Sequence, residues 1–172
     1  MAFSLWLTGL PASGKSTIAR ALVARHSERG VAVEVLESDA VRRILTPEPT
    51  YAPEERDLFY RALAFCGARL AGHGVNVLFD ATANRRAHRA LARALIPDFL
   101  EVLVDCPLAT CQARDAKGTY ALGQARASTT VPGLQDPYEP PLAPDLRLDT
   151  STLGPEEAAQ RLLALLEERR LL

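Results

Sequence analysis

Along the chain, short apolar runs alternate with longer stretches in which apolar residues recur every three or four positions. Phe3–Thr8, Val31–Leu36, Val75–Phe79 and Phe99–Val104 are brief, rich in Val, Leu and Phe, and bounded by Gly, Pro, Asp or Ser, which predicts β-strands. Between them, Lys15–Arg29, Pro53–Ala71 and Arg85–Leu95 have helical spacing and length, and Leu108–Arg114 fits one more short helix. Glu156–Arg170 predicts a further helix, with Pro155 at its start and Leu162, Leu165 and Leu166 on one side. Asp145–Leu148 fits a short fifth strand before it. Strands alternating with helices predict an α/β fold of three layers, a parallel sheet of about five strands with helices on both faces.

One stretch breaks the rhythm. From Asp115 to Pro144 the chain has little periodicity and carries Gly118, Gly123 and Gly133 together with Pro132, Pro137, Pro140, Pro141 and Pro144. A structureless segment of that length inside a compact fold is usually functional, so a lid over 115–144 is expected; the bland alternative is a surface insertion without a role.

Composition narrows the classes. The 172 residues are 48% hydrophobic and 24% charged, with a net charge of −1, which favours one soluble domain over 1–172 with a single sizeable core. That balance offers no electrostatic case for a nucleic-acid partner or a membrane surface. The opening MAFSLWLTGL is apolar but short, lacks a basic leading region and runs into a glycine motif, so it reads as a strand rather than a signal peptide. No run approaches the ~20 apolar residues of a membrane span, and a cytoplasmic location is expected. The three cysteines, Cys66, Cys106 and Cys111, have neither a disulfide framework nor zinc-ligand spacing. The twenty basic residues include only two lysines, Lys15 and Lys117.

Gly9-Leu10-Pro11-Ala12-Ser13-Gly14-Lys15-Ser16 fits the pattern G-x-x-x-x-G-K-[ST], followed by Thr17. Glycines allow a turn whose backbone N–H groups converge on an anion, and the helix that follows adds its positive end. Lys15 supplies a compact charge to the β- and γ-phosphates, and the Ser16 hydroxyl suits Mg²⁺ beside them. Chance yields such a pattern in roughly one chain of this size per hundred. The strand before it and the helix after it make coincidence far rarer. The motif therefore predicts ATP binding.

The second strand ends in Leu36-Glu37-Ser38-Asp39-Ala40-Val41-Arg42-Arg43. The carboxyl edge of such a sheet is where ligands bind, so Asp39 there could take the proton of an attacking hydroxyl or hold Mg²⁺ through water. Arg42, on the same face of a short helix, could grip an anionic acceptor. Asp39 could instead merely cap that helix. The third strand ends in Asp80-Ala81-Thr82-Ala83-Asn84, where Asp80 is either a metal-associated carboxylate or a cap. Arg114-Asp115-Ala116-Lys117-Gly118 opens the lid, and its cations could close over the phosphates and exclude water.

These residues resemble the adenylylsulfate (APS) kinases, which transfer phosphate from ATP to the ribose 3′-hydroxyl of adenosine 5′-phosphosulfate. The resemblance runs from Leu5 to about Thr150. It rests on Leu5-Trp6-Leu7-Thr8-Gly9-Leu10 and the phosphate loop, Leu36 through Arg42, Tyr51 through Arg56, Val102-Leu103-Val104-Asp105-Cys106-Pro107-Leu108, Arg114-Asp115-Ala116-Lys117-Gly118-Thr119-Tyr120, and Asp136-Pro137-Tyr138-Glu139-Pro140. It implies a phosphate-loop kinase in which Lys15, Asp39 and Arg42 serve catalysis. Gly9, Pro11, Ala12, Ser13, Gly14, Lys15, Ser16, Thr17 and Arg114 would form the ATP site, with Ser16, Asp39 and Asp80 toward Mg²⁺. Asp39, Arg42, Arg56, Tyr51 and Lys117 would meet the acceptor, Tyr51 by stacking on adenine. A small nucleotide acceptor and a homodimer are also implied.

The chain departs from that pattern on the acceptor side. The family's D-G-D reads Glu37-Ser38-Asp39, its S-F-I-S-P-Y-R reads Asp80 through Arg86, and Phe59 and Val131 replace an asparagine and a phenylalanine. Asp80-Ala81-Thr82 also resembles the strand end of polynucleotide 5′-kinases. Two alternatives follow: the same fold acting on another nucleotide-linked or small phosphorylated alcohol, or a nucleotide-binding regulator with no acceptor.

Overall fold

The computed structural model describes residues 2–125 and 128–172. Five parallel strands form one sheet in the order β2-β3-β1-β4-β5: β1 Ser4–Thr8, β2 Val33–Glu37, β3 Asn76–Asp80, β4 Phe99–Asp105 and β5 Leu146–Asp149. Seven helices accompany them among the described residues: α1 Lys15–Glu28, α2 Ser38–Leu45, α3 Pro53–Gly72, α4 Arg86–Leu95, α5 Leu108–Ala113, α6 Thr119–Gln124 and α7 Pro155–Glu168. The predicted α/β alternation holds in every strand and long helix, with ends shifted by one or two residues.

The central strand shows why the sheet is covered twice. Side chains alternate along a strand, so Leu5 and Leu7 of β1 face one core and Trp6 the other. Leu5 and Leu7 pack with Ile18 and Leu22 of α1 and with Leu162 and Leu166 of α7. Trp6 stacks on Phe79 of β3, ring centroids 4.5 Å apart, among Phe59 and Leu63 of α3 and Ala92 of α4. The Trp6 indole N–H is not wasted in this apolar layer, because it donates to the Ala81 carbonyl at 3.0 Å. Close packing here also needs Gly67: a Cβ there would lie 2.1 Å from Phe79 Cζ.

The expected lid is not structureless. Asp115 accepts from the Tyr120 and Ala121 N–H groups at 2.8 and 3.0 Å, and Gly118 stands at φ 70 before them, which starts α6 inside the segment. Tyr120 then buries its ring with Cys106, Cys111 and Val131 in a third, smaller core. Six residues are too few to show periodicity, and the helix exists because its ends are capped and one face is buried.

At the carboxyl edge of the sheet, register places Glu37 beside Asp80 and Asp105 beside Asp149. β1 ends at Thr8, immediately before the glycine motif, so the loop opens onto this acidic edge. No helix among the described residues is long and apolar enough to cross a membrane.

Candidate active site

The phosphate loop turns between β1 and α1. A Cβ at Gly9 would lie 2.3 Å from the Val104 carbonyl oxygen, so only glycine lets the loop leave the sheet there. Gly14, at φ 102, forms the left-handed step into α1, and Ala12 is also held left-handed at φ 60. Lys15 Nζ donates to the carbonyls of Gly9 and Leu10 at 3.0 and 2.8 Å. Burial pushes the Lys15 ammonium below the ordinary lysine range, while Asp80, Cys111 and Asp39 pull it back up. Ser13 is fully buried at the back of the loop. Thr150, at the end of β5, donates from Oγ1 to the Ser13 carbonyl at 2.8 Å.

A cleft of about 1150 Å³ is lined by Lys15, Ser16, Thr17 and Arg114 together with Arg42, Tyr51 and Arg56. Asp39, Asp80 and Lys117 line the same cleft. Lys117 Nζ donates to Asp39 Oδ2 at 2.6 Å, and that hydrogen bond raises the Lys117 ammonium above its usual value. Asp80 ends β3 and is 4% exposed, and among the described residues its carboxylate accepts no protein hydrogen bond. Neither carboxylate caps its helix with a side-chain bond: α2 and α4 both lack one. A hydroxyl with one or two carboxylates suits Mg²⁺, which keeps several waters and takes phosphate oxygens for the rest of its shell. Ser16, Asp39 and the buried Asp80 line the same cleft and are residue types that such an ion takes. No cluster of three or more His, Cys, Asp or Glu side chains, as a protein-only metal cage needs, occurs among the described residues.

The two acceptor-side arginines are held very differently. Arg42 lies with its guanidinium carbon 3.8 Å from the Phe59 ring centroid and 5.0 Å from that of Tyr51, with only a long 3.5 Å contact to Glu55. Its edge is left with donors to spare, and sequence pattern did not reveal that Phe59 is its platform. Arg56 instead has every nitrogen engaged: Nε donates to the Tyr51 carbonyl at 3.1 Å, Nη1 to Asn84 Oδ1 at 3.4 Å, and Nη2 to the Thr130 carbonyl. Asp136 lies 3.6 Å from the same Nη2. Arg56 therefore ties α3 to the lid while also lining the cleft. Tyr51 sits at φ 56 with 37% of its surface exposed at the cleft mouth.

Arg114 reaches back rather than outward, donating to the Thr150 carbonyl at 2.9 Å. The Pro137–Pro140 segment ties the end of β1 to the start of α4: the Tyr138 hydroxyl lies 3.1 Å from Thr8 Oγ1, and Glu139 accepts from the Arg86 N–H at 2.8 Å. Asn84 donates to the adjoining Asp136 at 3.0 Å. Tyr120, Thr150, Phe59 and Asn84 were all missed as site residues, since their partners lie far away in sequence. Only the R-D-x-K-G-x-Y resemblance touched Tyr120.

Comparison with known proteins places this geometry. The family described as Adenylylsulphate kinase matches residues 1–149. The chain is 39% identical to an adenylyl-sulfate kinase of Gloeothece citriformis over 96% of its own length and 94% of that protein. It is 42% identical to one of Chloroflexus aurantiacus, over 95% of this chain and 88% of that one. Among solved structures, the Mycobacterium tuberculosis APS kinase in complex with AMPPNP and APS superposes with a TM-score of 0.91 at 37% identity, covering 96% of this chain and 98% of that chain. The phosphate loop, the parallel sheet and the lid motif thus occur together in a chain that belongs to the adenylylsulfate kinase family.

Proposed function

We propose that this chain is an ATP- and Mg²⁺-dependent kinase that phosphorylates the 3′-hydroxyl of adenosine 5′-phosphosulfate. The observation that carries this reading is the single cleft in which the phosphate loop, Asp39 and Arg42 converge beneath Lys117. The unit is one kinase domain over 1–172 with its lid over 115–144.

ATP would lie with its phosphates on the loop N–H groups and Lys15, whose ammonium exchanges the Gly9 and Leu10 carbonyls for phosphate oxygens. Arg114 and Thr17 would flank the nucleotide end. Ser16, Asp39 and Asp80 would hold Mg²⁺, whose charge would offset that of the phosphates. Arg42, steadied on Phe59, would bind the anionic 5′ end of the acceptor, and Tyr51 would stack on its base. Asp39 would accept the proton as the 3′-oxygen bonds to the γ-phosphorus in line with the departing ADP. Lys15 would stabilise the charge that accumulates on the β–γ bridge oxygen. Lys117 and α6 would cover the reacting groups and keep water, the competing nucleophile, away.

The homodimer implied by the resemblance belongs to the same proposal, and sedimentation of the purified chain reads it directly. The activity is tested with γ-labelled ATP and adenosine 5′-phosphosulfate. The reading expects label on the 3′-position of the acceptor; label appearing only as inorganic phosphate would contradict it.

A further inference from the structure

Two carbonyls of the phosphate loop are each held by a side chain from much later in the sequence. The Tyr120 hydroxyl donates to the Pro11 carbonyl at 2.9 Å, and Thr150 Oγ1 donates to the Ser13 carbonyl at 2.8 Å. A trans peptide unit is planar, with its C=O and the next N–H pointing in opposite directions. Fixing the Pro11 carbonyl therefore aims the Ala12 N–H, and fixing the Ser13 carbonyl aims the Gly14 N–H. Among the described residues neither N–H finds a protein acceptor, although both residues line the cleft. Ala12 also holds a left-handed φ of 60, a conformation that alanine keeps only when its surroundings impose it.

Both donors are anchored themselves. Tyr120 is 1% exposed and packs against Leu10 and Ala12 through the small core it shares with Cys111 and Val131. Burial pushes its phenol well above the usual range, so the hydroxyl stays a donor at any pH the fold meets. Thr150 donates its own N–H to the Asp105 carbonyl at 2.9 Å, which fixes it to the end of β4. Arg114 in turn holds the Thr150 carbonyl at 2.9 Å.

We propose that Tyr120 and Thr150 are positioning residues that aim the phosphate-loop N–H groups at the nucleotide phosphates, with Tyr120 making the cradle depend on the placement of lid helix α6. The proposal rests on the ATP-binding part of the function given above. Because α6 begins beside Lys117, lid placement and phosphate binding are then one event rather than two. Each acts through a backbone carbonyl of the loop.

The test measures binding of Mg·ATP and of Mg·tripolyphosphate, the phosphate chain without a nucleoside, by calorimetry. Tyr120→Phe keeps the buried ring, Thr150→Val keeps the shape, and Thr150→Ser keeps the hydroxyl. Tyr120→Phe and Thr150→Val should each weaken ATP about threefold to tenfold, the size of one lost hydrogen bond. Tripolyphosphate should weaken by the same factor, and Thr150→Ser should bind like the wild type. Loss confined to ATP, or unchanged affinity for both in Tyr120→Phe, would overturn the proposal. A fall in Tm without a change in affinity would also overturn it, since that is a packing role alone. Failure of the wild-type chain to bind ATP would instead overturn the ATP-binding reading beneath it.

Discussion

Lys117 Nζ lies 2.6 Å from Asp39 Oδ2, which joins the lid to the α2 carboxylate across the mouth of the phosphate loop. Both side chains are largely open to solvent, 67% and 53% exposed, so the pair contributes under about 1 kcal/mol to stability. A large effect of removing either partner must come from chemistry. Asp39→Asn should lower kcat by at least about a hundredfold, as loss of a general base does, with ATP affinity retained. Lys117→Met should lower kcat by a comparable factor, with a Tm close to that of the wild type. The double variant should lose less than the product of the two, because the groups act on one proton and one transferring phosphate. Steady-state kinetics with calorimetric ATP binding checks all three.

The Arg42 guanidinium rests on Phe59 at 3.8 Å, and that contact gives a second expectation. Phe59→Leu keeps the volume class of this buried position but removes the aromatic face. Cation–π contacts are worth about 0.5–2 kcal/mol, so the acceptor KM should rise roughly tenfold while the KM for ATP holds. Arg42→Lys should raise the acceptor KM at least as far, since an ammonium neither stacks nor forks.

Much of this site was legible before any fold was known, and the boundary is physical. The phosphate loop is a local device whose residues sit within eight positions, so Gly9 through Ser16 announce it. Asp39 and Asp80 were visible because strand ends converge on one edge in a parallel sheet. The bonds that hold Arg56 were not legible, because the atoms that engage it belong to Asn84, Thr130 and Asp136, and no local pattern encodes such distant pairing. Helix α6 was hidden for a related reason: its start depends on Asp115 and its stability on burial of Tyr120, neither of which shows as periodicity over six residues.

Arg89 supplies a stability test. It is fully buried, donates from Nε to Glu101 Oε1 at 2.6 Å and from Nη2 to the Glu139 carbonyl at 2.6 Å, and also bonds the Ala83 carbonyl. Arg89→Met would leave two carbonyls without their donor and Glu101 with only the longer 3.6 Å contact to Arg93. Removing one member of a buried pair costs about 3–5 kcal/mol, so urea unfolding should show a loss of that order.

A pH dependence follows from His26. The ring is buried beside Phe3, its Nδ1–H donates to the Leu22 carbonyl at 3.0 Å, and Nε2 has no partner. Burial holds its pKa below 6.5 in the folded chain. The unfolded chain therefore binds more protons once the pH falls below about 6.5, and stability falls with it. Above that pH the contribution is fully present. His88 shifts in the same direction, chiefly through burial, and adds to the slope. Chemical denaturation at pH 7.5 and 5.5 should show a loss that His26→Leu reduces.

The central claim concerns the acceptor, and kcat/KM for ADP release over a panel of alcohols tests it most directly. The panel sets adenosine 5′-phosphosulfate beside AMP, a polynucleotide 5′-hydroxyl and simple sugar alcohols, with Mg·ATP saturating. The account predicts that adenosine 5′-phosphosulfate exceeds every other acceptor by at least about a hundredfold, as a site built around specific polar contacts achieves. Turnover that favours another alcohol, or no stimulation by any of them, would contradict it.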